Sequence, residues 1–416
     1  MGNATKKTVR NKKIYPAPFQ SLADCRMNQY SEKKRCWIYR IIFSIFLILI
    51  LLRPALTFYP QKDVYISKGY SKIYNYLESS YYSSQYVKKE NPGIMPDDTF
   101  EAFVGGAFLR GVNPINIVHE HPPMGRYIIA FSILLFDNAR TLIPPLLALS
   151  LIACFLIAKI IIKNSLLALI PVVIFSNDPL FISKLQYSPL LESIQLPFIL
   201  LSLYFFIKGI QDKKSFRWFV LASLMVGFVI SIRFFILGMT LFCAMFLYFV
   251  ISKKFNKQFI YFVISTPISL IALFASYTKT ILDGYSLWQI LGVQKYLFYY
   301  HQTKLENSFS FWDLILFNRW HTWWGNRSII HDNTWFIVWP IAIFSTFSFL
   351  IASLIRIVRM NEGEKFLSIW VLIYCGLLSA GNSTTRYFLP LVPVLYILMI
   401  SFFVRIIYPR TCLKEK

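Results

Sequence analysis

The chain has 416 residues, of which 56% are hydrophobic, 18% aromatic and only 15% charged. This composition excludes a disordered chain and an ordinary soluble domain. Several apolar segments reach the roughly 17–25 residues that a helix needs to cross a bilayer, so the sequence predicts an all-α integral membrane protein. The net charge of +23 would also suit a nucleic-acid-binding protein. The basic residues, however, cluster in short tracts between apolar segments, a pattern that sets membrane orientation. We therefore expect no nucleic-acid partner.

The predicted elements begin with a basic tail, residues 1–36, which we expect in the cytosol. The first span, at about 37–58, then runs outward into an external loop at 59–137. That loop holds a short apolar helix at 127–136, which is too short to cross the bilayer. Nine further spans alternate in direction, with a second external loop at 277–334 and a cytosolic tail at 409–416. They are predicted at about 139–162, 166–181, 193–207 and 218–232, before the basic tract 252–257, at 259–276 and 335–355, before 381, and from Tyr387 onward. Residues 37–408 would form one transmembrane domain.

The six cysteines show neither zinc-type spacing nor a disulfide framework, so free thiols are expected. Most of the unusual polar residues instead fall at the predicted outer face of the membrane. They are Asp97, Asp98, Glu101, His119, Glu120, His121, Arg126, Arg140, Glu192, Arg233 and Arg386. Ionisable residues at membrane depth are costly and usually functional. Arginines can hold a phosphate bidentately, and a carboxylate can take a proton from an attacking hydroxyl. The pattern indicates a phosphorylated lipid as substrate.

Each of these residues also has a structural interpretation. Asp97 or Asp98 could cap a helix. His119, Glu120 and His121 are a weak metal signal and are better explained by hydrogen bonding. Arg233 and Arg386 could extend towards lipid headgroups. Trp320, Trp323 and Trp324 could form an interfacial belt or a wall facing a sugar or acceptor. The occurrence of all of them on one face favours a functional site.

The stretch from Asp97 to Arg126 resembles the protein O-mannosyltransferase family, within the GT-C group of polyprenyl-phosphate-dependent glycosyltransferases. That family has an acidic pair in its first external loop, a glycine about fourteen residues further on, and then His-Pro-Pro. The chain has Asp97-Asp98, Gly111 and "HPPMGR" at 121–126. Later family features are similar to Arg140, "LLES" at 190–193, Arg233, "WHTWWG" at 320–325 and "RYFLP" at 386–390. The chain differs in having Asp98 for a Glu, Glu192 for an Asp, and an extra segment of about 35 residues, Lys62 to Met95.

The resemblance implies a multi-helix bundle of about ten spans and an inverting glycosyltransferase. The enzyme would move a hexose, mannose by family, from a polyprenyl-phosphate donor to a hydroxyl, such as Ser or Thr of a protein, on the extracytoplasmic side. Asp97 would be the general base, with Asp98 beside it. The donor phosphate would meet His121, Arg126, Arg140, Arg233 and Arg386. Glu192, Trp320, Trp323 and Trp324 would face the sugar or acceptor, and no metal or cofactor is expected.

Two alternatives stay open. The first is transfer to a lipid or glycan, as in the aminoarabinose transferases of the same group, which carry Lys-Pro-Pro where this chain has His121-Pro122-Pro123. The second is a lipid-phosphate transporter or flippase, which should place polar residues through the bilayer midplane.

Overall fold

The computed structural model describes residues 22–117, 120–186, 188–212, 215–233, 235–302, 308–322, 328–381 and 384–407. The chain divides into two units, residues 1–47 and residues 48–416. The described part of the first unit, residues 22–47, is helical. It belongs to helix α1 (Leu22–Phe58), which begins within the predicted basic tail. The C-terminal tail from residue 408 lies outside the described residues, and the proposed limits of the transmembrane domain stay a prediction.

The second unit is almost wholly α-helical over its described residues. After a short 3-10 turn at Tyr59–Gln61, its first helices are α2 (Lys62–Ile66), α3 (Tyr70–Ser83), α4 (Asp97–Leu109), α5 (Pro114–Ile117) and α6 (Met124–Phe136). The central helices are α7 (Ile143–Ile162), α8 (Leu169–Ser176), α9 (Pro179–Gln186), α10 (Leu191–Gln211), α11 (Phe216–Ile232), α12 (Ile236–Ile251), α13 (Lys257–Ser265) and α14 (Pro267–Ser276). The last are α15 (Thr278–Leu282), α16 (Leu287–Gln302), α17 (Ser310–Phe317), α18 (Val338–Leu354), α19 (Glu362–Leu378), α20 (Thr385–Phe388) and α21 (Leu391–Ile407). Two short antiparallel strands, β1 (Trp320–His321) and β2 (Ile329–Ile330), pair between α17 and α18.

Several helices are apolar enough to cross a membrane. Among the described residues, four segments reach the required length: Trp37–Ile66, Ile143–Ile162, Leu191–Gln211 and Lys257–Ser276. Five shorter apolar helices are α6, α11, α12, α18 and α21. The predicted all-α, multi-pass membrane fold is confirmed, whereas the number of about ten spans stays a prediction. Helix α6 has only 13 residues, in agreement with the short helix expected at 127–136.

The predicted third span, residues 166–181, is not one helix. It is divided into α8 and α9, because Pro179 opens α9 and cannot continue the hydrogen bonding of α8. Asp178 accepts a hydrogen bond from the Leu180 amide at 2.8 Å, as the residue before a helix commonly does. Its other carboxylate oxygen accepts from the indole of Trp339 at 2.8 Å and from the phenol of Tyr396. The break is therefore fixed by α18 and α21.

Helix α10 lies at the centre of the packing, between α7 and α11. Its side chains Leu196, Ile199, Leu203 and Phe206 are fully buried. In lipid, helices associate mainly through van der Waals packing, because the surrounding acyl chains are as apolar as the side chains. The close fit of α10 thus sets the position of its first residues, which carry Glu192.

Candidate active site

The acidic pair opens helix α4 but does not cap it. The N-cap is Pro96, in extended conformation, and the helix has no side-chain cap hydrogen bond. Asp97 and Asp98 are the first two helical residues, where negative charge is favoured by the helix dipole. Their side chains are therefore available to partners elsewhere in the fold, and the alternative of helix capping does not describe them.

Asp97 accepts hydrogen bonds from two donors outside α4. Its Oδ2 accepts from Nη1 of Arg386 at 2.7 Å, and its Oδ1 accepts from the hydroxyl of Tyr86 at 3.2 Å. The neighbouring Asp98 accepts from Nη2 of Arg140 at 3.0 Å. The Asp97 side chain is 53% exposed. A substrate hydroxyl can therefore reach this carboxylate.

Glu192 is a second, buried carboxylate beside Arg386. It is the second residue of α10, and its Oε1 lies 2.8 Å from Nη1 of Arg233, which follows α11. Nε of Arg386 lies 3.6 Å from the same oxygen. Glu192 is only 8% exposed at its side chain. Arg386 consequently bridges an exposed carboxylate, Asp97, and a buried one.

Lys184 also belongs to this cluster and was missed in the sequence analysis. It lies on α9 and is buried. Burial lowers the pKa of its amine; Glu192 opposes this effect, whereas Arg386 and Arg233 add to it. No hydrogen bond or ion pair joins Lys184 to another of the described residues. A lysine within the apolar run "LFISKL", at the outer end of the predicted third span, is itself a functional signal, and this signal could have identified it.

The segment between α17 and α18 reaches the cluster through Asp332. Its Oδ2 accepts from the hydroxyl of Thr385 at 2.8 Å, one residue before Arg386.

The charge of Arg386 is stabilised by its neighbours. Burial opposes the charge, but Glu192, Tyr387 and Asp97 outweigh that effect and raise the pKa of the guanidinium above its usual range. Arg386 is thus held as a cation between anionic groups.

Two glycines explain how the chain brings these residues together. Gly111 follows the C-cap of α4 and has φ +83°, a conformation that glycine adopts without the strain that a side chain would cause. Gly125, in "HPPMGR", packs where a Cβ would lie 2.7 Å from Leu191 and 2.9 Å from Ile232. Only a residue without a side chain lets α6 contact the start of α10 and the end of α11 so closely. The motif therefore brings Glu192 and Arg233 close to the helix that carries the acidic pair.

Arg126 differs from the other predicted phosphate ligands. Its guanidinium makes a two-point ion pair with Glu101 at 2.8 and 3.0 Å, and its side chain is 1% exposed. Its Nη1 also donates to the carbonyl of His121 at 3.2 Å. Arg126 thus stabilises the loop that carries His121 and is separated from solvent.

The remaining predicted residues lie outside this cluster or outside the described chain. Trp320 is half-buried in strand β1, beside His321, whose Nε2 lies 3.0 Å from Oδ2 of Asp313. Trp323, Trp324 and His119 fall outside the described residues. Within the part of the chain that the structure describes, no group of three His, Cys, Asp or Glu residues could hold a metal ion.

The cluster combines two chemical capacities. Arg233, Arg386 and Lys184 lie around the buried carboxylate of Glu192, so these cations outnumber the carboxylate that they meet at the inner end. Asp97 lies at the accessible end. The cluster therefore joins a buried cationic end to an exposed carboxylate.

Known proteins share parts of this sequence and fold. The family model described as dolichyl-phosphate-mannose-protein mannosyltransferase matches residues 120–277. No curated protein sequence matches the chain significantly.

Two solved structures are similar to the chain. ArnT from Cupriavidus metallidurans, bound to undecaprenyl phosphate, aligns with a TM-score of 0.57 at 14% identity, over 80% of this chain and 59% of that one. The archaeal oligosaccharyltransferase AglB from Archaeoglobus fulgidus, in complex with an inhibitory peptide and a dolichol-phosphate, aligns with a TM-score of 0.44 at 10% identity, over 89% of this chain and 52% of that one. The chain thus spans a little over half the length of both proteins. Residues 120–277 carry the pattern of the dolichyl-phosphate-mannose-protein mannosyltransferases, and the chain has the GT-C membrane fold, as the sequence resemblance implied.

Proposed function

We propose that the protein is an inverting glycosyltransferase that moves a hexose from a polyprenyl-phosphate donor to a hydroxyl on the extracytoplasmic side of the membrane. The family match favours mannose as the sugar and Ser or Thr of a protein as the acceptor. The observation that carries the proposal is the 2.7 Å contact between Asp97 and Arg386, because it joins a carboxylate base directly to a cationic site.

The donor phosphate would bind at the inner end of the cluster. Arg233 and Arg386 offer planar donors suited to phosphate oxygens, and Lys184 adds a charge that no hydrogen bond or ion pair to the described residues engages. Nε of Arg386 lies 3.6 Å from Glu192, which is beyond a good hydrogen bond, so this group remains able to bind a ligand oxygen. Arg140, paired with Asp98, and the His121 loop would contribute at the edge. The buried Arg126 would support the loop instead of contacting the phosphate.

Asp97 would act as the general base. The acceptor hydroxyl gives its proton to this carboxylate as its oxygen forms a bond with the anomeric carbon. The bond between that carbon and the phosphate oxygen breaks, and the polyprenyl phosphate leaves with the electron pair. Since the oxygen attacks from the face opposite the phosphate, the configuration inverts.

The arrangement supplies three kinds of catalytic help. General base catalysis contributes about 10²–10⁴-fold. Cations fixed beside the departing phosphate stabilise the charge that develops on it. A donor phosphate would also share Arg386 with Asp97, which weakens the ion pair and frees the carboxylate to accept a proton.

The purified protein in lipid nanodiscs should be incubated with radiolabelled polyprenyl-phosphate mannose and a Ser/Thr-rich peptide. Labelled peptide with an inverted anomeric linkage supports the proposal, and a lipid or glycan acceptor in a parallel reaction tests the first alternative. Movement of a fluorescent lipid phosphate between the leaflets of proteoliposomes, with no sugar transfer to any acceptor, would overturn the proposal in favour of a flippase.

A further inference from the structure

The extra segment between the first span and α4, residues 62–95, packs along α4 towards the acidic pair. Its tyrosines stack on the phenylalanines of α4: the Tyr81 ring lies 4.7 Å from that of Phe103, and the Tyr86 ring lies 4.0 Å from that of Phe100. Such aromatic pairs stabilise contacts beyond the area that they bury. The segment thus follows α4 back to its first residue, Asp97.

Gln85 links the segment to the residues that immediately precede α4. Its side-chain amide donates to the carbonyl of Met95 at 2.8 Å, and its side-chain oxygen accepts from the Met95 amide at 2.8 Å. The Gln85 amide also donates to the carbonyl of Gly93 at 3.0 Å. These three hydrogen bonds fix the backbone next to Tyr86 relative to the chain that enters α4.

Tyr86 therefore meets Asp97 with its ring and its hydroxyl both constrained. The ring is nearly parallel to that of Phe100, with an angle of 13° between the planes, while the hydroxyl donates to Oδ1 of Asp97 at 3.2 Å. Burial, followed by the nearby Asp97 charge, raises the pKa of the phenol above its usual range. Tyr86 hence stays a hydrogen-bond donor at physiological pH.

We propose that Tyr86 is a positioning residue for the candidate base Asp97, supplied by the extra segment. Its hydroxyl holds Oδ1 while Arg386 holds Oδ2, so the plane of the carboxylate is fixed from both sides. Each carboxylate oxygen can accept about two hydrogen bonds, so Oδ1 keeps a position for the acceptor hydroxyl. This inference rests on the proposed function, because the acceptor is part of it.

The substitution Tyr86→Phe removes the hydroxyl and leaves the ring stacked on Phe100. We expect kcat to fall about 10-fold, since misplaced reacting groups cost rate, while the KM for the donor and the melting temperature stay unchanged. Tyr76→Phe is the matched control: it makes the same change on α3, at a side chain that is 72% exposed, and should leave kcat unchanged. An unchanged kcat in Tyr86→Phe would overturn the inference.

A second measurement does not depend on activity. The infrared carboxylate band of Asp97, assigned by its loss in Asp97→Asn, should shift in Tyr86→Phe but not in Tyr76→Phe. If the wild-type protein transfers no sugar and the band still shifts, Tyr86 positions Asp97 although the proposed function is wrong. If transfer occurs and the band does not shift, the positioning role is wrong and the function stands.

Discussion

Nη1 of Arg386 donates to Oδ2 of Asp97 at 2.7 Å, although the two residues lie 289 positions apart in the chain. The same guanidinium extends to the buried Glu192 at 3.6 Å. The start of α4 and the start of α10 are therefore joined by one side chain from α20. If this cluster is the catalytic site, substitutions within it should separate into effects on the chemical step, on donor binding and on stability.

Asp97→Asn should abolish sugar transfer, with a loss of at least about 10²-fold in kcat, because an amide cannot accept the hydroxyl proton. Donor binding should persist, since Arg386 is then released from its anionic partner. Transfer of labelled sugar and binding of a fluorescent donor analogue measure the two effects separately. Asp63→Asn, an exposed position in the segment that precedes α4, is the matched control. Full activity of Asp97→Asn would exclude Asp97 as the base.

Arg386→Lys should weaken donor use about 10-fold or more in kcat/KM, because lysine keeps the charge but loses the planar fork that can contact two groups at once. The change is measured from initial rates over a range of donor concentrations. Arg217→Lys, at a side chain that is 68% exposed, provides the control and should leave both kinetic constants unaltered. Equal kinetics in both variants would argue against a phosphate role for Arg386.

The affinity for the donor should fall as pH rises, in a window that begins below the ordinary lysine pKa of 10.5, because burial lowers the pKa of Lys184. The protonated amine attracts the phosphate, so binding is strongest below this pKa and is weakened as pH rises through it. The phosphodiester of the donor keeps one negative charge throughout. Dissociation constants from pH 6 to pH 10 measure the effect.

Lys184→Arg should abolish that decline, because arginine stays charged across the range. Lys184→Met should bind the donor about 10-fold more weakly at low pH and show little dependence on pH. Parallel curves for the wild type and Lys184→Arg would show that another group causes the decline.

Arg126→Met should destabilise the protein by about 3–5 kcal/mol, because it leaves the carboxylate of Glu101 buried without its partner. The double variant Glu101→Leu/Arg126→Met removes both charges and should recover most of the lost stability. Thermal unfolding in detergent provides the comparison. Near-normal stability of the single variant, combined with lost donor binding, would instead favour the phosphate role predicted from the sequence.

The sequence alone was sufficient for the features that depend on neighbouring residues. Apolar runs predicted the multi-pass helical fold, because the number of consecutive apolar residues shows whether a helix can cross the bilayer. The acidic pair, Gly111 and "HPPMGR" lie within 30 positions of one another, so their spacing indicated the family before any contact was known. The break between α8 and α9 was missed, although Asp178-Pro179 marks it, because the run around it is apolar.

Only the tertiary structure decided which charges pair. Arg126 and Arg386 were both predicted to bind the phosphate, yet one is buried against Glu101 and the other faces Asp97. Lys184 joined the site through its proximity to Arg233 and Arg386, which are distant in sequence. Tyr86 lies only 11 positions before Asp97, and its contact with that residue depends on how the segment before α4 folds. Hydrophobic patterning specifies which face of a helix is buried but not which helix it meets. The partner of a buried charge depends on which helices pack together, and here the close packing around α10 determines this.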